Sequence, residues 1–315
     1  MYWSGVATDL DRRASRWKYR DLSIFTRATV CNMFLIAKLW YVLQVLHCTR
    51  KNVQKFHRVF AMFIWKSTWE PMRRNNLFRR VRNGGLGLSH LFVQQLVSRF
   101  VFVRNQEHPF IRSLIQTELS PHLPSFVVSS CIVSSPNNLF GSLNEVVEAV
   151  RFLSVRFSLD YLSTVSKKSL TRDLIESLFP PPLYRTLFSK GQGQDVLSRV
   201  KKMCVPPAAK SFFFKLHSST LPVKPWLRDK GIFVPWSVDC LLCKQPETID
   251  HVFIFCWDAH FFWDILQRTL KKDFCITPHT IRYLSVKNEN GVPYDMFFLM
   301  GLYSIWKSRM AVRHA

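Results

Sequence analysis

Four side chains are grouped closely enough to do inorganic chemistry: Cys240-x2-Cys243-x7-His251-x4-Cys256. Thiolate and imidazole are soft or borderline donors, and four of them suit a Zn2+ ion held in a tetrahedron. The two residues between Cys240 and Cys243 let a tight turn bring both sulfurs to one point. His251 and Cys256 then complete the set from the following segment. Cys275 is a substitute donor but lies far outside this run. With every donor supplied by protein, no position stays open for water, so the expectation is one structural Zn2+ and no metal catalysis. The alternative is a chance cluster of thiols beside a core histidine. Cys31, Cys48, Cys131 and Cys204 are scattered singly among apolar residues, as reduced thiols of an intracellular protein are.

No other constellation points to catalysis. The sequence has no adjacent aspartates for two-metal phosphoryl chemistry, and no HExxH, GxSxG or Walker A pattern. The segment Gly84-Gly85-Leu86-Gly87 is not followed by Lys-Ser or Lys-Thr, and no apolar strand precedes it. A helix-breaking turn is expected there, not a phosphate loop. The chain is therefore expected not to be an enzyme by itself.

Charge names the class of partner. The chain carries 44 basic and 21 acidic side chains, a net of +23. Residues 1–114 hold 20 basic and 5 acidic side chains, a net of +15. A field of that sign attracts polyanions, nucleic acid first and an anionic membrane surface second. Arg73, Arg74, Arg79, Arg80 and Arg82 are the densest basic stretch and are expected to meet phosphates. Aromatics are interleaved: Trp17, Tyr19, Phe25, Trp40, Tyr41, Trp65, Trp69 and Phe78. Such rings can stack on bases, but Trp40, Tyr41 and Trp65 fall on apolar stripes and are assigned to the core. The cysteine-rich unit is itself acidic, with Asp239, Glu247, Asp250, Asp258 and Asp264 against Lys244. Contacts there would come from its flank, through Lys215, Lys224, Arg228 and Lys230, with Lys210 nearby. No transmembrane segment is expected: Phe34 to Cys48 is broken by Lys38 and Gln44, and Met296–Trp306 is too short.

The elements that must position these groups are helical. Leu22, Phe25, Leu35, Leu39, Val42, Leu43 and Leu46 recur near one face. Thr49 is a cap for a second helix that buries Val53, Phe56, Val59, Phe60, Phe63 and Ile64. Ser89 would cap a third, with Leu91, Phe92, Leu96 and Phe100 inward. Leu143, Val146, Val147, Val150 and Leu153 mark another. Breaks are expected at Ser134-Ser135-Pro136-Asn137-Asn138, Pro180-Pro181-Pro182 and Gly191-Gln192-Gly193. A short aromatic helix lies around Phe212–Leu216, and Thr248 caps a helix with His251 in its first turn. Ala259, Trp263, Leu266 and Leu270 continue on one stripe beyond the donors. A last helix from Tyr294 to about Arg309 would bury Phe297, Phe298, Leu302 and Ile305 or Trp306. The fold class is mainly α, a basic helical domain followed by a small α-rich zinc-binding module. The expected division is 1–114, a linker and helical connection at 115–204, and the zinc module with its terminal helix at 205–315.

Two segments resemble a known family. Cys240-x2-Cys243, Glu247-Thr248-x2-His251, Cys256 and Trp263, preceded by Leu221-Pro222-x-Lys224 and Leu227-x3-Gly231, resemble the zinc-binding region of non-LTR (LINE-type) retrotransposon reverse transcriptases. Ile305-Trp306-Lys307-x-Arg309 resembles the segment that often closes it. Upstream, Leu22-Ser23-x3-Arg27-Ala28, Lys38-Leu39-Trp40-Tyr41, Phe63-Ile64-Trp65 and Gly84-Gly85-Leu86-Gly87-Leu88 look like the thumb that follows the polymerase palm. The resemblance implies a thumb-like domain that grips a template–primer duplex, and zinc ligation by Cys240, Cys243, His251 and Cys256. The implied partners are RNA or an RNA–DNA duplex, with the rest of the polymerase acting in trans, in the nucleus or cytoplasm. Fingers, palm and endonuclease have no counterpart here, so the implied role is a non-catalytic, truncated piece of a transposable element. The rivals are a zinc-stapled protein-interaction module and a decayed copy without function.

Overall fold

The computed structural model describes residues 2–43, 46–124, 126, 139, 141–182, 184, 195–234 and 237–314. The fold is mainly α. Among the described residues no strand forms, only the isolated bridges Asp239–Pro246 and Glu289–Val292. The breaks expected at 134–138 and 191–193, and Cys131, lie outside the described residues.

Helix α1 (Tyr2–Ser15) packs on α4 (Arg50–Trp65), and between them α2 (Ile24–Val30), a π turn (Cys31–Ile36) and α3 (Ala37–Leu43) run as one rod. Ser23 caps α2 by accepting from the Thr26 amide at 3.1 Å. Arg27 is buried, and its guanidinium donates to Leu22 O at 2.6 Å and Ile64 O at 2.7 Å. It thereby satisfies a carbonyl in the last turn of α4, which has no partner within the helix. The π turn inserts about one extra residue per turn and rotates everything after it. Leu39 and Leu43 are buried, whereas Tyr41, expected in the core, is 79% exposed. Trp65 is buried as expected, and Trp40 is half-buried with Lys167 Nζ 5.3 Å from its ring centroid. Thr49 caps α4 through the Asn52 amide, and Val53, Phe56, Phe60, Phe63 and Ile64 face inward.

After α5 (Asn75–Phe78) comes a 3-10 turn (Val81–Asn83) and the glycine segment. It is a turn: Gly84 and Gly87 have φ of 85° and 68°. A Cβ on Gly85 would stand 2.1 Å from the Arg79 carbonyl oxygen, so only glycine fits. Helix α6 (Leu91–Arg104) is capped by His90, whose ring accepts from the Val93 amide at 3.2 Å, and not by Ser89. Ser89 instead donates its amide to Asn32 Oδ1 at 2.9 Å. Helices α7 (Pro109–Leu119), α8 (Gly141–Ser154), α9 (Leu159–Thr164) and α10 (Lys167–Leu178) gather on α6 around Val97, Phe100, Leu119, Val147, Leu153 and Leu170.

Among the described residues the remaining helices are α11 (Val196–Lys202), α12 (Pro207–His217), α13 (Lys224–Asp229), α14 (Trp257–Leu270), α15 (Pro278–Tyr283) and α16 (Tyr294–His314). α12 packs against both α2 and α16. Phe25 meets Phe214 edge-on at 5.7 Å, and the Ile24 amide donates to Ser211 Oγ at 2.9 Å. The hydrophobic core is therefore continuous from the first helices to the last, while residues 93–174 enclose a core of their own. In α16, Phe298, Leu302, Ile305 and Trp306 are buried as expected, but Phe297 is part-exposed and Leu299 takes its place inward.

Candidate metal centre

The Cys240–Cys243 turn is closed by its own backbone. The Cys240 amide donates to Gln245 O at 2.7 Å, and the Lys244 amide to Cys240 O at 3.0 Å. Lys244 takes a left-handed φ of 55° to reverse the chain. Thr248 then opens the second half: its hydroxyl accepts from the His251 amide at 3.1 Å and its carbonyl from Val252 at 2.9 Å. The expected cap is thus in place, but the helix it opens is not an ordinary one. His251–Phe255 form a π turn, closed by the Cys256 amide on His251 O at 2.8 Å. That wide turn returns Cys256 to the side of His251. The backbone extends at Cys256, and α14 begins one residue later.

The donor atoms of Cys240, Cys243, His251 and Cys256 all lie within 4.8 Å of one another. The sulfurs of Cys240 and Cys243 stand 3.8 and 3.7 Å from that of Cys256. A tetrahedral ion with Zn–S bonds of about 2.3 Å separates its sulfurs by about 3.8 Å. His251 Nε2 is buried and has no hydrogen-bond partner, which is the condition of a lone pair reserved for a metal. Number, type and spacing of donors all fit one tetrahedral ion. Cys275 is exposed and takes no part.

The surroundings favour thiolate at Cys240 and oppose it at Cys256. Burial pushes the Cys240 thiol up, but the Cys243 amide, the His251 ring, the Leu242 amide and Arg309 outweigh it and bring it to about 6. For Cys256 burial prevails and the thiol is raised, against the opposing pull of the Asp258 amide and Arg309. Arg309 reaches in from α16, its Nη2 3.0 Å from Cys256 Sγ and its Nη1 3.6 Å from Cys240 Sγ. Glu247 is buried against the same helix: Arg313 donates to it, and Lys224 Nζ lies 3.7 Å away. Asp250 pairs with the buried Arg282 at 2.8 Å. An open depression beside the donors is lined by Gln245, Pro246, Phe255, Trp257 and His260.

Several residues expected at a phosphate surface are spent inside the molecule. Lys224 is buried, donates to Asp239 O at 2.8 Å and faces Glu247, so it anchors the knuckle. Arg79 is buried and donates to Phe179 O. Arg74 is half-buried and donates to Glu70 through Nε at 3.0 Å. Lys215 is half-buried, and burial, with Arg27 nearby, lowers its pKa. A buried cation must find an internal partner, as Lys224, Arg79 and Arg74 have. Arg80 is half-buried, whereas Arg73, Arg82, Arg228 and Lys230 are exposed. Arg309, Arg313 and Arg282 were not singled out as parts of the site. For Arg309 the sequence signal is the Ile305-Trp306-Lys307-x-Arg309 segment; Arg313 and Arg282 lie outside it.

Fold and site together define a mainly α-helical chain with a Cys3His cluster able to hold a metal ion. Residues 181–263 match a family described as zinc-binding in reverse transcriptase. The match takes in all four donors and Trp263, so this region is reverse-transcriptase-related. The matched family describes a zinc-binding region and not a polymerase catalytic one. Comparison with curated proteins gives no match. Among the described residues, no helix is long and apolar enough to cross a membrane.

Proposed function

We propose that this chain is a nucleic-acid-binding, non-catalytic part of a LINE-type reverse transcriptase, its fold stapled by one structural Zn2+. Cys240, Cys243, His251 and Cys256 hold the ion, and the helices of residues 1–114 act as the thumb. The partner is RNA or an RNA–DNA duplex, and catalysis belongs to a palm supplied by the rest of the polymerase. The observation that carries binding is the net charge of +23, two thirds of it in residues 1–114. The exposed Arg73, Arg82, Arg228 and Lys230 and the half-buried Arg80 are the side chains that would meet phosphates. Fluorescence anisotropy of a labelled RNA–DNA hybrid tests this. Affinity is expected to fall linearly on a log–log plot against salt. Binding that is flat across salt, or absent at low salt, rules the proposal out.

A second function has its own observation. Leu241, Leu242, Phe255, Trp257 and Phe261 are all exposed on the metal-bearing unit, with Trp257 at 75%. Exposed apolar groups of this size mark protein-docking surfaces. A pull-down that recovers a protein partner after nuclease treatment, with no shift of labelled RNA, favours that function.

A further inference from the structure

Three thiolates, one imidazole and one divalent ion sum to a single negative charge. Cys240, His251 and Cys256 are buried and Cys243 is half-buried, so water screens that charge only in part. The compensating cation comes from the far end of the chain. Arg309 is buried on α16 and aims one guanidinium nitrogen at Cys256 Sγ, 3.0 Å away, and the other at Cys240 Sγ, 3.6 Å away. The carboxylate in its reach is Asp258, 3.8 Å off and half exposed. One helical turn on, Arg313 donates to Pro222 O at 2.8 Å and to the buried Glu247. The two arginines reach the metal-bearing unit from one face of α16, Arg309 at its sulfurs and Arg313 at Glu247 and Pro222 O.

We propose that Arg309 is the charge partner of the loaded metal centre, and that the centre thereby fastens α16 to the zinc module. Metal retention and docking of the terminal helix are then one linked equilibrium. The fork geometry matters: a planar guanidinium turns a separate nitrogen to each of two sulfurs 3.8 Å apart, whereas an ammonium must share one nitrogen between them. A packing role for Arg309 makes a different prediction, because methionine would preserve most of the aliphatic stem.

This inference rests on the metal reading of the site, and the experiment separates the two. The unsubstituted full chain is first titrated with Co2+, whose d–d and thiolate charge-transfer bands report tetrahedral binding. Absence of those bands defeats the metal reading and the inference with it. Where they appear, Arg309→Met is expected to weaken Co2+ and Zn2+ roughly 10–100-fold in competition with a chromophoric chelator. Arg309→Lys is expected to fall between. Hydrogen exchange of the unsubstituted chain gives a second readout. Amides of residues 305–313 should exchange faster once Zn2+ is chelated, while those of α8, in the other core, stay unchanged. Equal affinity for Arg309→Met and the parent, or equal exchange of 305–313 with and without metal, overturns the inference. If Arg309→Met does not fold, the exchange comparison decides alone.

Discussion

The indole Nε1 of Trp263 donates to the carbonyl oxygen of Phe253 at 2.9 Å. The bond runs from the second turn of α14 to the π turn that carries His251. Trp263 also stacks on Phe298 of α16, with ring centroids 4.8 Å apart. One side chain therefore joins the metal-bearing turn to two helices.

Replacing Trp263 should separate its two roles. Trp263→Ala removes a fully packed ring and is expected to cost about 3–5 kcal/mol. Trp263→Phe keeps the stack on Phe298 and loses the hydrogen bond, leaving the Phe253 carbonyl without that donor, a loss of roughly 1–3 kcal/mol. Urea unfolding in excess zinc measures both. Equal losses for the two variants would show that the hydrogen bond, not the packing, dominates.

Metal removal should act on one half of the molecule. The chain is expected to bind one Zn2+, and its melting temperature should rise with free zinc, as mass action requires. Cys256→Ser removes the sulfur that stands 3.8 and 3.7 Å from those of Cys240 and Cys243 and should abolish that dependence. Residues 93–174 have a separate core, so their amide protection should survive chelation. Zinc-independent melting of the parent chain would exclude a structural metal.

The parts of this molecule that were legible in the sequence are those decided by near neighbours. Thr49 and Thr248 cap because a hydroxyl meets an amide three residues on. The Cys240–Cys243 turn and the inward faces of α4 and α8 follow from spacing alone. Both π turns were hidden, because an extra residue in a helix has no side-chain signature; that is why Tyr41 points outward. The use of Lys224, Arg79 and Arg309 was hidden for another reason. Whether a cation meets solvent or a buried acceptor depends on a residue distant in the chain, such as Phe179 for Arg79 or Cys256 for Arg309.

Stability should fall with acid through the buried His57 and its half-buried neighbour His90. His57 and His90 have ring centroids 4.6 Å apart, and each accepts a backbone amide, from Leu91 at 3.3 Å and Val93 at 3.2 Å. Burial holds His57 well below its ordinary value of 6.5, with His90 and Arg74 adding to it. Burial likewise brings His90 down to about 4. The unfolded chain takes up protons below 6.5 and the folded chain does not until about 4, so folding weakens as pH falls through that window. The slope is at most about 1.4 kcal/mol per pH unit for each histidine. His90→Asn keeps a capping acceptor and should remove about half of the slope between pH 6.5 and 5, read from urea midpoints. An unchanged slope would mean that His90 takes up its proton equally in the folded and the unfolded chain.

Lys224 should separate from its basic neighbours. Its ammonium is committed to Asp239 O and Glu247, while Arg228 and Lys230 stand exposed a few residues on. Lys224→Met is expected to lower stability by roughly 1–3 kcal/mol, because Asp239 O loses its donor and Glu247 one of its two cations. It should leave the salt dependence of RNA–DNA hybrid binding unaltered. Arg228→Ala with Lys230→Ala should do the reverse: unfolding little changed, and a log–log salt slope shallower by about 1.5 to 2. A shallower salt slope for Lys224→Met at full folding would return Lys224 to the binding surface and contradict its place beneath the knuckle.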